Sequence, residues 1–70
     1  MRLIHGLPYW AVIWKLDALN NARRTFEEAA SEDVKREADM VFACCYDWLV
    51  DRGVPIYYDE KPKLWILRLS

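Results

Sequence analysis

Apolar residues recur at Val12, Leu16, Leu19 and Phe26, at steps of three, four and seven, with Ala22, Ala29 and Ala30 beside them. That is the repeat of one helix face, and it predicts a helix over residues 8–30 whose stripe faces a core. Pro8 suits the first turn, where the missing N–H has no helical partner to lose, and Gly6 breaks the segment before it. The opening turns are unusual. Tyr9-Trp10-Ala11-Val12-Ile13-Trp14 is apolar on every side, whereas a surface helix keeps one apolar stripe about 100° wide. Trp10, Ile13 and Trp14 fall off the core stripe, and further along the same flank come Asp17, Asn21, Arg24 and Glu28. A second apolar face therefore exists only at the N-terminal end of this helix, and something must cover it.

A second stripe, Val34, Ala38, Val41, Phe42, Cys45, Trp48 and Leu49, predicts a helix over residues 32–52. Ser31 can accept from a free backbone N–H at its start, and Glu32 and Asp33 sit favourably at the positive end of the helix dipole. Gly53 suits a left-handed cap, Val54 can touch the last turn, and Pro55 cannot continue the helix. No Gly or Pro separates the two stripes, so one long helix is the rival arrangement. The phase argues against it: continuing the Val12 row in steps of seven lands on Asp33, Met40 and Asp47.

Beyond Pro55, Ile56-Tyr57-Tyr58 and Leu64-Trp65-Ile66-Leu67-Arg68-Leu69 are rich in β-branched and aromatic residues, with turn residues in Asp59-Glu60-Lys61-Pro62-Lys63. They predict a β-hairpin over residues 55–69 with a five-residue loop. Leu64 and Ile66 point one way and Trp65, Leu67 and Leu69 the other, so both faces of the second strand are apolar. Residues 1–5 are a candidate strand. The expected fold is α+β: one domain, residues 1–70, with an antiparallel two-helix hairpin packed on a small antiparallel sheet.

Composition changes this picture in one respect. A chain of 70 residues buries only about 60% of the surface its unfolded form exposes. Yet 54% of its residues are hydrophobic and four are Trp. A homodimer is the expected remedy, with Trp10, Ile13, Trp14, Trp65 and Leu67 as its seam, since large aromatics off a core stripe dominate interfaces. A net charge of -1 lacks the broad electropositive face of non-specific nucleic-acid binding. The N-terminal apolar run is interrupted by Gly6 and Pro8 and closed by Lys15 and Asp17, which fits neither a signal peptide nor a membrane span.

Candidate chemistry is sparse. Cys44 and Cys45 are adjacent, so they cannot staple distant segments, and a reducing cytoplasm is the expected setting. No zinc spacing accompanies the single histidine, His5, and no nucleophile motif stands with it. Asp47 and Asp51 lie one turn apart on a helix flank, where carboxylates are usually solvated. No catalytic residue, metal or cofactor is expected. Between the helices the chain is heavily charged, and Glu27, Glu28, Glu32 and Asp33 form a candidate acidic contact surface, diluted by Arg23, Arg24, Lys35 and Arg36.

Two helices and a β-hairpin resemble a winged-helix arrangement, with Lys61 and Lys63 at the wing tip and Tyr57, Tyr58 and Trp65 as stacking groups. A recognition helix should bring basic side chains to phosphate, however, and this one opens Ser31-Glu32-Asp33-Val34-Lys35-Arg36-Glu37-Ala38-Asp39. The leading expectation is a small non-catalytic protein-binding protein, an adaptor or inhibitor that acts as a homodimer and engages another protein. A winged-helix-like DNA-binding regulator is the alternative. Size and the lack of a catalytic motif also fit small phage-type accessory proteins that act by binding, a likeness that no motif carries.

Overall fold

The computed structural model describes residues 3–68. The chain begins with a minimal hairpin: β1 (Leu3–Ile4) pairs antiparallel with β2 (Leu7–Pro8), Leu3 opposite Pro8 and Ile4 opposite Leu7. The connecting residues are His5, at φ 51°, and Gly6, at φ 79°. Two successive positive φ values mark the type I′ turn, whose twist matches that of paired strands. The sequence suggested one strand over residues 1–5; the structure instead folds Leu7 and Pro8 back as its partner, because Gly6 turns the chain without ending the pairing. Met1 and Arg2 lie outside the described residues.

Helix α1 (Tyr9–Glu28) follows directly, with Pro8 as its extended cap. It ends two residues earlier than the periodicity suggested, because Ala29 is extended at ψ 134°. Helix α2 (Glu32–Asp51) starts as its sequence indicates: the Ser31 Oγ accepts from the Asp33 backbone N–H at 3.2 Å. At its other end the Gly53 N–H donates to the Val50 carbonyl and the Val54 N–H to the Leu49 carbonyl, both at 3.0 Å. With Gly53 at φ 73° this is a Schellman stop, and it delivers Val54 into the core.

The helices pack antiparallel as a hairpin, burying Val12, Leu16, Leu19 and Ala22 against Ala38, Cys45 and Leu49. Phe26, Val34 and Val41, which periodicity assigns to the stripe, are exposed. A stripe is buried only as far as another layer covers it: Phe26 lies beside an open pocket at the edge of the β-hairpin, and Val34 and Val41 line a groove that no strand lines among the described residues.

The third layer is the hairpin of β3 (Ile56–Asp59) and β4 (Leu64–Leu67), with Ile56 opposite Leu67, Tyr57 opposite Ile66, Tyr58 opposite Trp65 and Asp59 opposite Leu64. Its loop has four residues rather than the expected five, since Asp59 still pairs. The Asp59 carboxylate accepts from the Lys61 N–H at 3.0 Å, and Lys63 closes the loop at φ 58°. The two hairpins form separate two-stranded sheets. The fold is α+β, with one side of the helical hairpin covered by β3 and β4.

Candidate protein-interaction site

Asn20 fixes how the hairpin lies on the helices. In the observed register the Trp65 N–H and carbonyl point away from β3, towards the open edge of β4. The Asn20 side chain meets both: its Nδ2 donates to the Trp65 carbonyl at 2.9 Å, and its Oδ1 accepts from the Trp65 N–H at 2.8 Å. The amide thus takes the place of a neighbouring strand. One turn on, Arg23 donates to the Lys63 carbonyl at 3.1 Å, lies 4.5 Å from the centre of the Tyr58 ring and pairs with Glu27 at 3.0 Å. The hairpin that a winged-helix reading would project therefore lies pinned along α1.

This docking gathers an aromatic cluster. Trp65 meets Tyr46 edge-on at 5.6 Å and Phe42 edge-on at 6.4 Å, and Tyr58 at a tilt at 5.7 Å; Phe42 stacks on Tyr46. Beside it opens a pocket of about 420 Å³, walled by Phe26, Phe42, Tyr58 and Trp65 and rimmed by Arg23, Glu27 and Asp39. No sequence motif marked it, because its walls come from all three layers.

On the opposite side of the helical hairpin, among the described residues, an open groove is lined by the two helices alone. Helix residues turn by 100° each, so Ala18 and Ala22 lie about 160° around α1 from Asn20 and the β-hairpin. Together with Thr25, Val34, Ala38 and Val41 they line this groove of about 460 Å³, which Asn21 and Glu37 also border. Trp14 stands one turn before Ala18 and Trp10 one turn before that. These two rings are 61% (Trp10) and 69% (Trp14) exposed and 6.3 Å apart. The solvent-accessible surface totals 5193 Å². A compact monomer of 8.4 kDa would expose about 4,600 Å², so the surface is larger than the mass requires.

The five residues expected to form one seam separate. Trp10 and Trp14 are open, whereas Ile13 and Trp65 pack on the core and Leu67 belongs to it. Both faces of β4 are apolar, and Trp65 and Leu67 turn inward onto the core, leaving Leu64 exposed. Glu27, Glu28, Glu32 and Asp33 are all exposed; Glu27 is tied to Arg23, and Glu32 lies 3.9 Å from Lys35.

No family model matches the chain, and no curated protein and no solved structure matches it. The remaining chemistry is dispersed. His5 sits exposed in the first turn, and Asp47 and Asp51 are exposed on α2. Cys44 is exposed and Cys45 buried, both free thiols. Burial pushes the Cys45 thiol up from its ordinary pKa and Cys44 adds to this, while Lys15 opposes it. Among the described residues no group of acids, histidines or cysteines could hold a metal ion, and no helix is long and apolar enough to cross a membrane.

Proposed function

We propose that this chain is a small non-catalytic protein-binding protein that works as a homodimer, two copies meeting through the uncovered side of the helical hairpin. The observation that carries this reading is the contrast between its two sides. One is covered by β3 and β4; the other presents Val34 and Val41 to solvent around a floor of alanines, with the exposed Trp14 one turn before Ala18. Small residues on the floor let a second pair of helices approach closely, and aromatic and branched residues at the margin supply the buried area. A two-fold axis along the groove sets the same patch against itself. The seam keeps Trp10 and Trp14 from the sequence-derived set and replaces Ile13, Trp65 and Leu67 with Ala18, Val34 and Val41. A cytoplasmic setting belongs to the reading, supported by two adjacent thiols without a disulfide.

The test is sedimentation equilibrium of Val41→Asp and Trp14→Ala beside the parent chain. Val41 is exposed in the monomer, so a carboxylate there leaves the fold intact but would be buried in the dimer. Both variants should weaken self-association by about tenfold or more, with unchanged circular dichroism. Equal association of all three chains would sink the proposed seam.

A further inference from the structure

The aromatic pocket on the sheet side is separate from the groove of the proposed dimer and stays open when two copies meet there. From its composition we infer that it receives the cationic head of an arginine or lysine side chain presented by a protein partner.

Two features favour a cation. Phe26, Phe42 and Trp65 line the pocket, aromatic rings whose π-systems attract positive charge. The rim is left with an uncompensated carboxylate. Arg23 and Glu27 satisfy each other at 3.0 Å, and Arg23 is further held by the Lys63 carbonyl and the Tyr58 ring. Asp39 has no ion pair among the described residues. Lys35, one turn before it, lies 3.9 Å from Glu32 instead. The Arg23 guanidinium lies 4.5 Å from the centre of the Tyr58 ring, so a cation already rests on one of the lining rings, and Asp39 lines the same pocket. An incoming arginine could lay its plane on Phe26 or Trp65 and reach the Asp39 carboxylate with its N–H groups. About 420 Å³ of open volume holds such a head group.

The inference goes beyond the dimer reading, and its test is independent of it. A capped Gly-Ser-Arg-Ser-Gly peptide, its citrulline counterpart and its lysine counterpart are titrated into the isotopically labelled full chain, observed by two-dimensional NMR. Citrulline keeps the shape of arginine and removes the charge. The arginine and lysine peptides should shift the Trp65 indole and Phe26 ring signals, with citrulline binding about tenfold more weakly. Asp39→Asn and Phe26→Ala change exposed residues, so both should fold, and each should weaken arginine binding severalfold. Val41→Asp should bind the peptide like the parent, whatever its effect on association. Equal binding of citrulline would show an uncharged apolar pocket; an unaffected Asp39→Asn would remove the counter-ion; no shift at Trp65 up to the solubility limit would remove the site. Each of these results overturns the inference.

Discussion

At the scale of single residues, Asn20 carries most of the information about how the layers meet. Asn is a poor helix former because its amide competes for backbone groups, and in α1 that tendency is used across layers on Trp65. Asn20→Ala leaves the Trp65 N–H and carbonyl without partners in a half-buried place. It should lower stability by about 1–3 kcal/mol in urea unfolding. Asn20→Asp separates the two contacts: a carboxylate still accepts from the N–H but faces the carbonyl with charge, so its deficit should shrink in mild acid, where a protonated carboxyl can donate. A pH-independent deficit would argue against the geometry. The cysteines give a second prediction. Burial raises the Cys45 pKa in the folded chain, so its contribution is complete below the ordinary thiol range and is lost as pH rises through it, when the unfolded chain ionises first. Stability should therefore fall in alkaline solution, less so in Cys45→Ala, and iodoacetamide at neutral pH should label Cys44 while sparing Cys45.

At the scale of elements, the parts legible in the sequence are those governed by neighbouring residues. Ser31, Gly53, Val54 and Pro55 set the limits of α2 because caps and stops are short-range. Gly53 is held at φ 73° with open space where a Cβ would stand, so Gly53→Ala should cost about 1–2 kcal/mol through backbone strain alone, read from the unfolding midpoint. What pattern could not supply was orientation between layers. Trp65 and Leu67 alternate with Leu64 and Ile66, all apolar, so period two left the inner face of β4 undetermined until Asn20, Phe42 and Tyr46 were in place. Phe26, Val34 and Val41 follow the helical repeat faithfully, but the repeat does not tell how far along a helix the cover extends. The turn at His5 and Gly6 leaves little trace in the sequence for a different reason: a two-residue strand is too short to show a period, and the stronger type I′ signal would be Asn-Gly.

At the scale of the whole molecule, the chain is an elongated body of 40 × 24 × 18 Å whose helical hairpin is covered on one side by β3 and β4. The first Trp pair was legible as a face without cover, since no polar residue occurs between Tyr9 and Trp14. Its continuation along Ala18, Val34 and Val41 was not, because it is shared by two helices. Self-association through that side is the central claim, and the solution mass by light scattering across a concentration series, at moderate and high salt, tests it most directly. Twice the 8.4 kDa chain mass is expected, little changed by salt because the groove is mostly apolar. A mass of one chain at every concentration, or a dimer that dissolves as salt is raised, would contradict it.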